Sequence, residues 1–84
     1  MSDRYVYAMV DAWRSAVKIG HSWNPELRAT QFCRCYPEDL ELAGYVVATI
    51  KQEHAVHANL LDWRIRGEWY KYEGAVMQFV NALR

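Results

Sequence analysis

The spacing of apolar side chains predicts two adjacent strands near the start of the chain. Residues 4–10 (RYVYAMV) are rich in β-branched and aromatic side chains and are apolar on both faces, as in a central strand covered from two sides. In residues 17–21 (VKIGH), Val17 and Ile19 share one face and Lys18 lies on the other. The connecting DAWRSA segment is short, which favours an antiparallel hairpin.

A helix and a third strand are predicted next. Asn24 is a strong N-cap residue, and Pro25 suits the first helical position, where a missing N–H costs nothing. Because the residue before a proline is disfavoured in the helical region, the helix should end ahead of Pro37, at about Cys35. The apolar run LELAGYVVATI, residues 40–50, then predicts the third strand.

Two more helices are predicted in the second half of the chain. Residues 51–64 place Val56, Leu60 and Trp63 at i, i+4 and i+7, the pattern of an amphipathic helix. The segment EWYKY is expected to be a short strand or an extended segment. The closing helix, GAVMQFVNAL, has an inward apolar face, formed by Val76, Phe79, Val80 and Leu83.

These elements predict one small mixed domain over residues 1–84. Their order is β-β-α-β-α-(β)-α, and the expected fold class is α/β (α+β), with a three-stranded antiparallel sheet flanked by helices. A chain of 84 residues buries about 60–65 % of its unfolded surface, so each large apolar side chain matters.

Composition excludes some classes of protein. Ten basic and ten acidic residues cancel, which removes the overall basic excess typical of nucleic-acid binding but leaves room for a local cluster. Cys33 and Cys35 lack the second ligand pair of a structural zinc site, so they are expected to be reduced thiols. No secretory signal and no apolar run of about 20 residues is found, which predicts a cytoplasmic protein with no membrane contact.

Several polar residues do not fit a plain core. Glu53 lies three and seven residues before Val56 and Leu60, so it falls on the helix face that should meet the sheet, and His57 lies one turn further along. A carboxylate there is costly unless it is paired, hydrogen-bonded or bound to a metal. The alternative is a rim position with an ordinary salt bridge.

Other residues allow two interpretations each. Arg28, with Phe32 at i+4, allows two interpretations. Either its aliphatic chain covers apolar surface, or its planar guanidinium group binds a phosphate. Arg64 lies either in a basic cluster or on a solvated rim, and the role of Glu68 does not follow from the pattern. Two loop tryptophans are either binding anchors or core-filling side chains, namely Trp13 and Trp23.

Taken together, these positions resemble the GIY-YIG endonuclease superfamily, in particular its phage-rich T5 open-reading-frame and meiotically up-regulated branch. The resemblance runs from about Tyr5 to Leu83. V-Y-A places Tyr7 at the tyrosine of the first motif, and K-I-G places Lys18 where the second motif usually has a tyrosine. Ten residues later, Arg28 falls on the family's helical arginine.

The second half of the chain carries two further motifs of that branch. E-H-A-V-H resembles its E-x-x-[apolar]-H pattern and places the metal-binding glutamate at Glu53, with His57 behind it. R-I-R-G-E-W-Y resembles the closing R-x-R-G-E-W-[FY] pattern and includes Arg64 and Arg66.

The resemblance implies a metal-dependent DNA endonuclease. Glu53 would hold one Mg²⁺ or Mn²⁺, Arg28 would bind the scissile phosphate, and Tyr7 with Lys18 would orient or deprotonate the attacking water. His21 is expected to contact phosphate or relay a proton. Substrate binding is assigned to His21, His57, Arg64 and Arg66.

The expected partner is DNA, with a host protein or a second copy of the chain helping to find the target. A different class of function stays open, because fold does not fix function. In that alternative, the same fold is a weakly active or inactive binding module that docks on a host protein and inhibits it.

Overall fold

The computed structural model describes residues 4–35 and 40–84, and its centre is a five-stranded antiparallel sheet. The strand order across the sheet is β3-β1-β2-β5-β4. The strands are β1 (Tyr5–Asp11), β2 (Ala16–Ser22), β3 (Leu40–Val47), β4 (Arg64–Arg66) and β5 (Trp69–Lys71). The helices are α1 (Pro25–Cys35), α2 (Ile50–Asn59) and α3 (Gly74–Leu83), with a 3₁₀ turn at Leu61–Trp63.

The predicted α+β class and the antiparallel sheet are confirmed, but the prediction of three strands was wrong. The EWYKY segment contributes β5, which pairs with β2, and the additional strand β4 pairs with β5. β5 realises the short strand that was one of the two expectations for EWYKY, whereas β4 has three exposed residues, too few for an alternating pattern to stand out in the sequence. Gly67, with φ +55°, occupies the turn between them in a backbone region that side chains disfavour.

The prediction of one helix over residues 51–64 was also wrong in extent. α2 ends at Asn59, where the Leu60 N–H bonds to the carbonyls of Ala58 and Val56 and tightens the chain into the 3₁₀ turn. The apolar face was nevertheless predicted correctly, since Leu60 is buried and both Val56 and Trp63 pack against the core.

The start of α1 follows the predicted signals. Asn24 Oδ1 accepts a hydrogen bond from the Leu27 N–H at 3.1 Å, and Pro25 is the first helical residue. Cys35 ends the helix as expected. The cysteine side chains and Pro37 lie outside the described residues, so the thiol assignment stays a prediction.

The two faces of the sheet have different roles. One face carries the apolar core, in which Val76 and Val80 of α3 and Leu60 pack on side chains of β1, β2 and β5. The opposite face of the sheet is turned towards α1. Phe32 of that helix contacts the ammonium group of Lys18 there. Among the helices that the described residues form, none is long and apolar enough to cross a bilayer.

We expect the Thr49→Ala variant to lose stability through the start of α2. Thr49 Oγ1 accepts from the Gln52 N–H at 3.1 Å, and Gln52 Oε1 accepts from the Thr49 N–H at 2.8 Å, which together form a capping box. Its loss should lower the free energy of unfolding by about 1 kcal/mol, measured by urea denaturation. The matched control is Thr30→Ala on exposed α1, where a change within about 0.5 kcal/mol is expected, and equal costs would contradict the assignment.

Candidate functional site

The candidate site lies at an open edge of the sheet. β5 pairs with β2 only from Ala16 to Lys18, whereas β2 continues to Ser22 alongside β1. Where β5 stops, the Glu68 carbonyl accepts a hydrogen bond from the Ile19 N–H at 2.9 Å. Because no described strand covers β2 beyond this point, side chains from both faces of the sheet can meet around its edge.

Tyr7 forms the floor of this site. It lies on β1 with only 1 % of its surface exposed, and its hydroxyl oxygen accepts a side-chain hydrogen bond from Arg28 of α1. Its strand partner is Gly20, and a Cβ placed on that glycine would lie 2.7 Å from Tyr7 Oη. The missing side chain at position 20 therefore makes room for the phenol.

The phenol of Tyr7 is held in its protonated form. Burial raises its pKa above the ordinary value of 10.0, and the negative charges of Glu68 and Glu53 act in the same direction. The hydrogen bond and positive charge of Arg28 act in the opposite direction but do not reverse the shift. Near neutral pH, Tyr7 is therefore a hydroxyl group that can donate a hydrogen bond.

Glu53 points into the site from α2, as its place on the apolar face predicted. It is 5 % exposed, so its carboxylate needs compensating partners. Arg4 Nη2 lies 3.4 Å from Oε1, and His21 Nδ1 is hydrogen-bonded to Oε2. The interpretation of Glu53 as an ordinary rim residue is therefore wrong.

A second carboxylate, Glu68, enters the same site from the turn between β4 and β5. Its Oε1 lies 2.9 Å from Lys18 Nζ and 3.1 Å from the Cβ position of Gly20, beside the Tyr7 phenol. The Lys18 ammonium also lies 4.9 Å from the centre of the Phe32 ring. Glu68 thus pairs with Lys18 close enough to Tyr7 for its charge to act on the phenol.

Arg28 and Phe32 bring α1 into the site. The Arg28 guanidinium carbon lies 5.3 Å from the centre of the Phe32 ring, and Arg28 itself is exposed. The two interpretations of Arg28 are thus compatible, because a guanidinium stacked on a ring can still turn its N–H groups outward. Arg28 has the position and geometry to bind an anion beside Tyr7.

Three possible metal ligands converge at the mouth of the site. One donor atom from each of His21, Glu53 and Glu68 lies within 4.8 Å of the other two. An imidazole and two carboxylates are donors that divalent cations accept in proteins. The arrangement therefore places possible cation ligands next to side chains that carry positive charge.

The predicted substrate-binding residues fall in two separate places. His57 and Arg64 line one cavity of about 460 Å³ together with Glu68 and Tyr70, and His57 Nδ1 is hydrogen-bonded to the Tyr70 hydroxyl. Arg66 instead lines a different cavity of about 300 Å³, whose other walls are Asp11, Arg14, Ala16, Ile65 and Trp69. The structure thus groups His21, His57 and Arg64 around Glu68 and leaves Arg66 apart.

Sequence reasoning missed three contributors to the site, namely Arg4, Gly20 and Glu68. A signal existed for Gly20, which shares a strand face with Lys18 and lies in a motif. Glu68 lies inside the R-I-R-G-E-W-Y segment, but the direction of its side chain depends on the turn between β4 and β5, which the hydrophobic pattern of the sequence did not predict. Arg4 lies just before β1 and carries no signal of its own.

Comparison of the chain with protein-family models, with curated proteins and with solved structures returned no match.

We expect Gly20→Ala to destabilise the protein through Tyr7. A methyl group at position 20 collides with the phenol, and such overpacking costs about 1–3 kcal/mol in the free energy of unfolding. Alanine in an open strand position would instead be neutral or stabilising.

The double-mutant cycle with Tyr7→Phe tests the cause of this cost. Tyr7→Phe removes the atom closest to the added methyl group. In the Tyr7→Phe background, Gly20→Ala should therefore lower the free energy of unfolding less than it does in the native protein, by about 0.5 kcal/mol or more. Urea denaturation of the four proteins measures the coupling, and an identical cost in both backgrounds would place the strain elsewhere.

The raised pKa of Tyr7 predicts a pH dependence of stability. Since the folded state holds the phenolic proton more tightly than the unfolded state, this contribution is complete below pH 10.0 and is lost as the pH rises further. The stability advantage of the native protein over Tyr7→Phe should therefore shrink as the pH rises above 10.0. Urea denaturation across this range measures it, and an advantage that grows with pH would contradict the burial argument.

Proposed function

We propose that the protein is a divalent-metal-dependent DNA endonuclease that hydrolyses phosphodiester bonds, as a small module of the GIY-YIG type. The single observation that carries the proposal is the meeting of Tyr7, Lys18, Arg28 and Glu53 at one sheet edge. These side chains come from β1, β2, α1 and α2. The resemblance assigns chemistry to each of the four positions.

The charge balance of the site suits a phosphate. Arg4, Lys18 and Arg28 are cationic, whereas Glu53 and Glu68 are anionic, so three positive charges face two negative ones when His21 is neutral. The surplus is local, since the whole chain has a formal net charge of zero. A phosphodiester can therefore bind here without a basic surface elsewhere.

Arg28 and Tyr7 have complementary tasks in this proposal. The exposed guanidinium of Arg28 offers paired N–H groups to phosphate oxygens, and Lys18 adds a positive charge nearby. Because the Tyr7 phenol stays protonated and shares a hydrogen bond with Arg28, we assign it to orienting the attacking water rather than to removing its proton.

Glu53 is the residue that would hold Mg²⁺ or Mn²⁺. Its buried carboxylate at the mouth of the site fits a hard cation, and the neighbouring His21 and Glu68 donors support the fit. When bound, the cation would supply positive charge beside the reacting phosphate. The chain's own side chains would bind the phosphate and orient the attacking water.

In this proposal, the DNA strand would extend from the reacting phosphate into the cavity lined by His57 and Arg64. This cavity shares Glu68 with the cluster, so the two sites are contiguous. We assign Arg64 and His57 to a neighbouring phosphate of the same strand, and we assign no such contact to Arg66.

A second candidate function has its own supporting observation. Trp13 and Trp23 are 81 % and 62 % exposed, so the interpretation of these residues as core filling is wrong. Large exposed aromatic side chains are typical anchors in protein interfaces. They keep open the alternative of a weakly active module that docks on a host protein and inhibits it.

We expect purified protein with Mg²⁺ or Mn²⁺ to nick supercoiled plasmid at low ionic strength, where phosphate binding is strongest. Glu53→Gln should lower the nicking rate by at least about 10²-fold, and Arg28→Lys should lower it by about 10-fold or more because the paired N–H groups are lost. Gel electrophoresis of the plasmid measures both rates.

Glu73→Gln is the matched control, because Glu73 is an exposed glutamate outside the site and should leave the rate unchanged. Absence of nicking with either cation, or nicking undiminished in Glu53→Gln, would refute the nuclease proposal. The inhibitor alternative would then be the better supported of the two.

A further inference from the structure

We propose that His21, Glu53 and Glu68 together form a metal site that prefers first-row transition-metal ions such as Mn²⁺ over Mg²⁺. The inference deepens the proposed function, on which it rests for its biological purpose. It adds two ligands to the single carboxylate expected from the sequence. It also assigns to His21 a role other than phosphate contact or proton relay.

The geometry of the three side chains carries the inference. Their donor atoms lie within 4.8 Å of one another, a spread that ligands about 2.0–2.3 Å from one common ion can reach with small side-chain rotations. They come from β2, from α2 and from the turn between β4 and β5. Three separate elements therefore direct donors of compatible chemistry at one point.

The most buried member fixes the position of the site. Glu53 is 5 % exposed and is held by Arg4 on Oε1 and by His21 on Oε2. His21 and Glu68 lie closer to solvent, with side chains 43 % and 39 % exposed, so a cation can reach the cluster from outside. A cation would replace the proton between Nδ1 and Oε2, and the imidazole would then carry its proton on Nε2.

The imidazole sets the preference among cations. Mg²⁺ favours oxygen ligands and water, whereas a site with a nitrogen donor favours first-row transition metals. Glu53 alone would offer only oxygen and would distinguish Mn²⁺ from Mg²⁺ weakly. With His21 as a ligand, the same position becomes selective.

Lys18 gives the site a competitor. Its ammonium lies 2.9 Å from Glu68 Oε1, so a cation bound to Glu68 must share that carboxylate with it or displace it. A carboxylate has two oxygens, so sharing is chemically possible but weakens the binding of the metal. Removing the Lys18 charge should therefore strengthen metal binding, although Lys18 is assigned to the phosphate.

The test measures Mn²⁺ binding without DNA, by the electron paramagnetic resonance signal of free Mn²⁺, and then measures its displacement by Mg²⁺. We expect saturable binding of one Mn²⁺ per chain, with Mg²⁺ at least about 10-fold weaker. Glu68→Gln should weaken binding of both ions, and Lys18→Met should tighten it. His21→Asn should lower the affinity for Mn²⁺ by about 10-fold or more and remove the site's preference for Mn²⁺ over Mg²⁺.

The control variants are His54→Asn, an exposed histidine beside Glu53 on α2, and Glu73→Gln. Both should bind Mn²⁺ as the native protein does, and circular dichroism verifies that every variant is folded. Absence of saturable Mn²⁺ binding, or unchanged affinity and selectivity in folded His21→Asn and Glu68→Gln, would overturn the three-ligand site.

The two proposals fail in different ways. Mn²⁺ binding that depends on all three ligands, without plasmid nicking, would refute the nuclease proposal and support the metal-site proposal. Nicking that depends on Glu53 alone, with Mn²⁺ affinity unaffected by His21→Asn and Glu68→Gln, would keep the nuclease and remove the three-ligand site.

Discussion

The pairing of Tyr7 with Gly20 across β1 and β2 is the constraint on which the candidate site depends. Only a residue without a side chain leaves space for the phenol at this point of the sheet. The register matters equally, because a slip of one residue would turn Tyr7 towards the opposite face, away from Arg28. The apolar core opposes that slip, since Val6, Ala8, Val17 and Ile19 would have to leave it.

The end of β5 explains how two layers of the fold contribute to one site. α1 lies on one face of the sheet and α2 on the other, so side chains from the two helices would normally be separated by the strands. Beyond Lys18, the edge of β2 is no longer paired with β5, and Glu53 can approach the phenol around it. The ion pair with Arg4 and the hydrogen bond with His21 offset the cost of burying the Glu53 carboxylate so close to apolar side chains.

The sequence was informative wherever a regular pattern ran long enough. The apolar segments of β1 and β3, the alternation in β2, the Asn24–Pro25 start of α1 and the apolar face of α3 predicted those elements. The third strand was predicted too long, because β3 ends at Val47 and Ile50 begins α2. Glu53 was found because a charge on an apolar helix face needs an explanation. β4 was missed because three exposed residues form no pattern, and the position of Glu68 was missed because it follows from the turn at Gly67. The nuclease assignment itself stays a prediction.

The hairpin of β4 and β5 makes one side of the site less firmly packed than the other. Its strands have three residues each, and all three residues of β4 are exposed, whereas β1 and the core beneath it are almost fully enclosed. β4 can open and reclose without global unfolding because it buries little apolar surface, whereas β5 is held in the core by Tyr70, which is 1 % exposed. Opening of β4 would release the turn at Gly67 beside Glu68 while Tyr7 and Glu53 stay in place, so the pocket has one fixed wall and one movable wall.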